Sequence, residues 1–191
     1  MRRQPMPVRD AVPEDAAALV LLWSEAGPSG EPLATFAEEV PRALAHVAAD
    51  PDERVVVGES DGAIVAMMHL RRAPLTPLHL EQVVHTSFLL VRPEYRRHGY
   101  AHALLETAVA WAEEKDIAHV SAAASSASRD TNRFLARLGL GTVGTYRMAA
   151  TATLRKKLTP PAPGPRSRNV GQVLAARRSM RRRRALTDAD D

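Results

Sequence analysis

The segment Phe88–Leu105 (Phe-Leu-Leu-Val-Arg-Pro-Glu-Tyr-Arg-Arg-His-Gly-Tyr-Ala-His-Ala-Leu-Leu) constrains the fold of this chain more than any other stretch. An apolar strand runs into a short basic loop, and a helix begins at a glycine. Past Gly99 the apolar residues Leu104, Leu105, Ala108 and Trp111 recur at helical spacing, which predicts a helix over 99–115 with one buried face. A strand feeding a helix in this way requires a layered α/β arrangement. A helix N-terminus also offers unpaired N–H groups and the positive end of the helix dipole, so it favours an anion. Gly99 and the small Ala101 let backbone approach a phosphate closely, and Arg96 and Arg97 add charge. The spacing is neither a Walker A loop, since no Gly-Lys-Ser/Thr follows, nor a GxGxxG dinucleotide loop.

The chain on either side alternates between strand and helix patterns. Pro7–Val12 reads as a strand, and Pro13–Ala26 as a helix with Pro at its start and Glu14 and Asp15 in its first turn. Gly27–Gly30 breaks that helix, and a second spans Phe36–Ala49, bent or interrupted near Pro41. Arg54–Glu59 and Ala63–Arg71 are β-rich and separated by Ser60-Asp61-Gly62, a hairpin signal. Glu81–Val91 is a longer strand and His119–Ala123 a short buried one. Ser128–Leu138 is a helix stopped by Gly139, and Val143–Leu154 is strand-like. The expected order is β-α-α-β-β-β-α-β-α-β, an α/β (mixed α+β) fold with helices on both faces of a mostly antiparallel sheet.

Composition places the chain among soluble globular proteins: of 191 residues 45% are apolar and 25% charged. No apolar run is long enough to span a bilayer, and no apolar core follows the basic Met1–Arg9, so neither an anchor nor a secretory signal is expected. Cysteine is absent, which removes disulfides, thiolate metal sites and cysteine nucleophiles together and suits a reducing cytoplasm. His98 and His102 are four apart but have no third ligand nearby, so no metal is expected. The net charge of +4 is unevenly placed: residues 155–191 carry +8 and residues 1–154 carry −4. Four prolines within Leu158–Pro165 predict an extended linker, and the basic run Arg181–Arg184 lies beyond it. Domains are therefore expected at 1–154 and, as a disordered tail, at 155–191.

Arg96-Arg-His-Gly-Tyr-Ala101 resembles the acetyl-CoA pyrophosphate loop of the GNAT N-acetyltransferases, [Q/R]-x-x-G-x-[G/A]. Leu89–Tyr95 is similar to the strand end that leads into that loop. Phe134-Leu-Ala-Arg-Leu-Gly-Leu140 is similar to the family's helix-to-strand segment, and Val8–Asp15 to its first strand and helix start. The resemblance covers residues 7–154 and implies a GNAT-like fold with acetyl-CoA as co-substrate. It implies that backbone at Leu89, Leu90 and Val91 pairs with the pantetheine arm. It also implies that N–H groups of Arg97, His98, Gly99, Tyr100 and Ala101, beside Arg96, cradle the pyrophosphate. Ser128 or Asn132 takes the place of the asparagine that often contacts pantetheine from the later helix. The resemblance further implies that the amine attacks the thioester directly, with no acyl-enzyme. Leu135 stands where many relatives carry a tyrosine acting as general acid.

Proton removal from the amine needs a base with pKa near the working pH. Glu81, Val83, His85, Ser87, Leu89 and Val91 alternate along one strand and are expected on one face. His85 occupies a position where relatives of the histone-acetylating branch place a glutamate, which makes it the first candidate base and Glu81 the second. The sequence thus points to an acyltransferase moving acetyl from acetyl-CoA to an amine of a small molecule or protein. The alternative is a CoA-binding regulatory module whose basic tail binds nucleic acid or another polyanion. A homodimer is compatible with either.

Overall fold

The computed structural model describes residues 6–27, 37–78 and 80–159. The chain divides into two compact units, Met1–Thr142 and Val143–Asp191. The first contains strands β1 (Val8–Asp10), β2 (Glu53–Ser60), β3 (Ala63–Pro74), β4 (Gln82–Val91) and β5 (His119–Ala122). It also contains helices α1 (Ala16–Ala26), α2 (Val40–Ala49), α3 (Tyr100–Glu114) and α4 (Arg129–Arg137). The strands form one sheet in the order β1-β2-β3-β4-β5, antiparallel except for the parallel β4–β5 pair. This is the mixed sheet expected from the sequence.

Hydrophobic periodicity puts helices on both faces. On one face Leu19 and Leu22 of α1 and Leu44 of α2 pack with Val57, Ile64, Met67 and Leu90. On the other, Leu104, Ala108 and Trp111 of α3 and Leu135 of α4 pack with Val56, Met68, Leu70 and Val84. Leu104 is fully buried, so Leu104→Ala leaves a cavity and is expected to lower unfolding free energy by about 2–5 kcal/mol, read by urea denaturation. At the β2–β3 turn, Asp61 (φ 49°) and Gly62 (φ 78°) take the two left-handed positions that a tight hairpin requires. Arg9 donates to both Asp15 and Glu59, tying β1 to the turn before α1 and to β2. Its hydrogen bonds hold the Asp15 carboxyl below the usual carboxylate range.

The expected interruption near Pro41 is present: residues 38–39 form a turn and Pro41 lies in the first turn of α2, where its missing N–H costs nothing. Three sequence expectations change. Strand β5 is half-buried to exposed rather than buried, because among the described residues it pairs with β4 alone. Residues 143–154 do not form a strand. Residues 143–150 have no regular structure, and Thr151–Leu158 is a helix (α5) with Arg155, Lys156 and Lys157 complementing the dipole in its last turn. Val143, Tyr146 and Met148 are exposed, so the half-buried pleated surface that turns β propensity into a strand is missing there.

The third change concerns β4. Met67 pairs with Leu90 but His69 with Ser87, so β4 carries an extra residue near Phe88, whose φ is 52°. This β-bulge reverses the alternation. Leu89 and Val91 pack toward α3, whereas Leu90 packs toward α1. The face carrying His85 and Ser87 therefore does not continue to Leu89 and Val91. The helix start expected at Phe36, residues 28–30 of the expected break, His79, and the proline linker and basic run beyond residue 159 lie outside the described residues.

Candidate functional site

The strand–loop–helix segment forms as its residues dictate. After β4 the chain makes a single 3-10 turn at Pro93–Tyr95, extends at Arg96, and reverses through Arg97 (φ 65°) and Gly99 (φ 101°) into α3. Gly99 is the N-cap and makes no side-chain cap bond. The first helical hydrogen bond, Ala103 N–H to the Gly99 carbonyl, is 3.0 Å, so the N–H groups of Tyr100, Ala101 and His102 stand ahead of it without helical acceptors. Arg96, Arg97 and His98 are exposed around this end. The Arg96 guanidinium donates to the Val91 carbonyl, and His98 Nδ1 to the Arg96 carbonyl at 2.9 Å. Tyr100 divides its duties: its backbone is in the loop, while its buried ring lies edge-on to Tyr95 and its hydroxyl donates to the Glu59 carbonyl. The loop is thereby fastened to β2.

Beside the loop the sheet opens. Parallel pairing of β4 with β5 ends at Thr86–Ala122, with one further bond from Ala123 N–H to the Thr86 carbonyl. Beyond it, along Ser87–Val91, β4 is paired only with β3 among the described residues, which leaves its outer edge open. Leu89, Leu90 and Val91 are on this edge. Ser128 is the N-cap of α4 and its hydroxyl donates to Thr131. The Asn132 amide donates to the carbonyls of Ser125 (2.8 Å) and Ser128 (2.7 Å), clamping the loop that follows β5. Leu135 is closed into the core.

The two candidate bases sit differently. Glu81 precedes β4, is exposed, and faces His119 Nδ1 at 3.0 Å. His85 is half-buried, with Nε2 3.2 Å from the Ala73 carbonyl and Nδ1 2.8 Å from Ser121 Oγ. A carbonyl only accepts, so Nε2 carries the proton and Nδ1 accepts from the serine hydroxyl. Both ring nitrogens of His85 are thereby occupied, one by a carbonyl and one by the Ser121 hydroxyl.

A second pair, missed in the sequence, lies on the same face. His69 Nδ1 is 3.1 Å from Ser87 Oγ, and His69 Nε2 is 3.8 Å from Glu53 Oε2, a carboxylate that Arg71 also approaches at 3.3 Å. These residues come from three strands, and only the register His69↔Ser87 and Glu53↔Arg71 brings them together. Closer to α1, Trp23 lies against the half-exposed Phe88 with ring centroids 5.1 Å apart, and Arg92 meets Glu25 at 3.0 Å. A groove of about 260 Å³ lies elsewhere, between α2 and the start of β2, with Glu53 on its rim. Among the described residues no cluster of three or more His, Asp or Glu is gathered as for a metal, and no helix is long and apolar enough to cross a membrane.

An anion-ready helix start beside a strand with one open edge defines a known class. The profile of the acetyltransferase (GNAT) family matches residues 17–140, and the chain belongs to that family. The solved structures it resembles share its fold. A transcriptional regulator from Bacillus halodurans C-125 superposes with a TM-score of 0.68 at 17% identity, over 76% of this chain and 99% of that one. Glucosamine-6-phosphate N-acetyltransferase from Arabidopsis thaliana gives 0.63 at 14% identity, over 76% and 98%. Aminoglycoside N-acetyltransferase AAC(6')-Iy, in complex with CoA, gives 0.63 at 13%, over 76% and 94%. No curated protein sequence matches the chain.

Proposed function

We propose that this chain transfers an acetyl group from acetyl-CoA to an amine of a small molecule or protein. The observation that carries this reading is the helix start at Gly99, with its left-handed cap and unpaired N–H groups, next to the open edge of β4. Membership of the acetyltransferase family and the resemblance to a CoA complex support acetyl-CoA as the donor. The N–H groups from Arg97 to Ala101, with Arg96, hold the pyrophosphate. Leu89, Leu90 and Val91 pair with the pantetheine arm as an added strand would, and Ser128 and Asn132 border it from α4.

With the thioester laid along β4, the amine approaches from the face of His85. Orientation of the two reactants supplies much of the rate, and a strand N–H near the bulge stabilises the oxyanion. The incoming ammonium gives up its first proton to Ser121 Oγ, which passes its own to His85 Nδ1. Glu81, exposed and hydrogen-bonded to His119, is the second candidate for this role. A regulatory module that binds CoA without turnover is the competing reading. Purified protein with acetyl-CoA and a panel of amines is expected to release free CoA thiol only when an accepted amine is present. Binding of acetyl-CoA without thiol release from any amine would favour the module.

A further inference from the structure

Acetylating an ammonium ion removes two protons from nitrogen. One must leave before attack, and the other leaves as the tetrahedral adduct collapses, while the departing thiolate takes one back. The sheet face that carries His85 and Ser121 holds a second hydroxyl–imidazole pair, Ser87 and His69, and this pair has a carboxylate behind its ring. Ser87 immediately precedes the bulge at Phe88 and begins the open edge of β4, whereas Ser121 lies where β4 and β5 are still paired.

Resting on the acetyl transfer proposed above, we infer that Ser87 and His69 carry the second proton from the adduct nitrogen to the CoA sulfur. As the C–N bond completes, Ser87 Oγ takes the nitrogen's proton and passes its own to His69 Nδ1. As the C–S bond breaks, the imidazolium returns a proton to Ser87, which delivers one to the thiolate. The N–H bond lost is balanced by the S–H bond gained, and His69 ends as it began. Ser87 is the catalytic residue of the pair, and His69 and Glu53 act through it.

The electrostatics suit a ring that must start neutral and be charged only briefly. Burial pushes the His69 pKa below its ordinary 6.5; Glu53 opposes this, and Arg71 on the same strand adds to it. Neutral imidazole therefore predominates at neutral pH. Once the ring is protonated, the Glu53 carboxylate near Nε2 stabilises it. The strand register brings one further titratable group to this face, His85 of β4, which pairs with Arg71.

The test uses an amine that supports thiol release by the unaltered protein. Ser87→Ala and His69→Gln are expected to lower kcat by about 10²-fold, with acetyl-CoA affinity by calorimetry unchanged. Ser87→Thr, which keeps the hydroxyl, should recover most of the rate. In the unaltered protein kcat should fall as pH drops through the depressed His69 pKa, below 6.5, and His69→Gln should lack that limb. A merely structural hydrogen bond would cost stability and leave the limb in place. Unchanged kcat and pH profile in folded His69→Gln would overturn the relay and leave acetyl transfer standing. Acetyl-CoA binding with no thiol release from any amine would overturn both.

Discussion

Gly99→Glu is expected to abolish acetyl-CoA binding while the domain stays folded. The pyrophosphate would rest on backbone N–H groups at the start of α3, and a carboxylate there repels the ligand and fills the space it needs. Losing two charge-assisted hydrogen bonds of this kind weakens binding by about 10²-fold or more. Gly99 has φ 101°, so any side chain also strains the backbone, at about 1–3 kcal/mol, which leaves a domain of ordinary stability folded. Gly99→Ala separates the two effects, since it introduces the strain without the charge. Calorimetry gives the affinity and a thermal melt the folding; a folded Gly99→Glu protein with unchanged affinity would remove the phosphate loop from the account.

The second large effect is expected at His85. His85→Ala should lower kcat by about 10²-fold or more, with acetyl-CoA affinity little changed, because in the proposed reaction it removes the proton acceptor and no cofactor contact. Ser121→Ala should act in the same direction, since the hydroxyl occupies His85 Nδ1 at 2.8 Å. A comparable loss in Glu81→Ala, with His85→Ala fully active, would move the role to Glu81. Full activity in both would mean that proton removal needs neither side chain.

Much of this architecture is legible in the residues. Gly99 marked the helix start because a left-handed cap in front of an amphipathic run has few other readings, and Asp61-Gly62 marked the hairpin for the same backbone reason. Leu104 and Trp111 marked the buried face of α3 by spacing alone. The pair Ser87–His69 was not legible: the two residues are 18 apart, and the bulge at Phe88, which sets their register, has no sequence signature. Period-two reasoning carried His85 and Leu89 onto one face, and the inserted residue separated them. Residues 143–154 misled because β-branched and aromatic side chains favour strands only where a sheet surface receives them.

The central claim is that acetyl passes from CoA directly to an amine on this chain. Mass spectrometry after incubation with isotope-labelled acetyl-CoA and an amine that elicits thiol release tests it most directly. The account predicts labelled N-acetyl amine and free CoA in equal amounts, with no labelled acetyl left on the protein. Free CoA accompanied by labelled acetate, or by acetylated protein in place of acetylated amine, would contradict it.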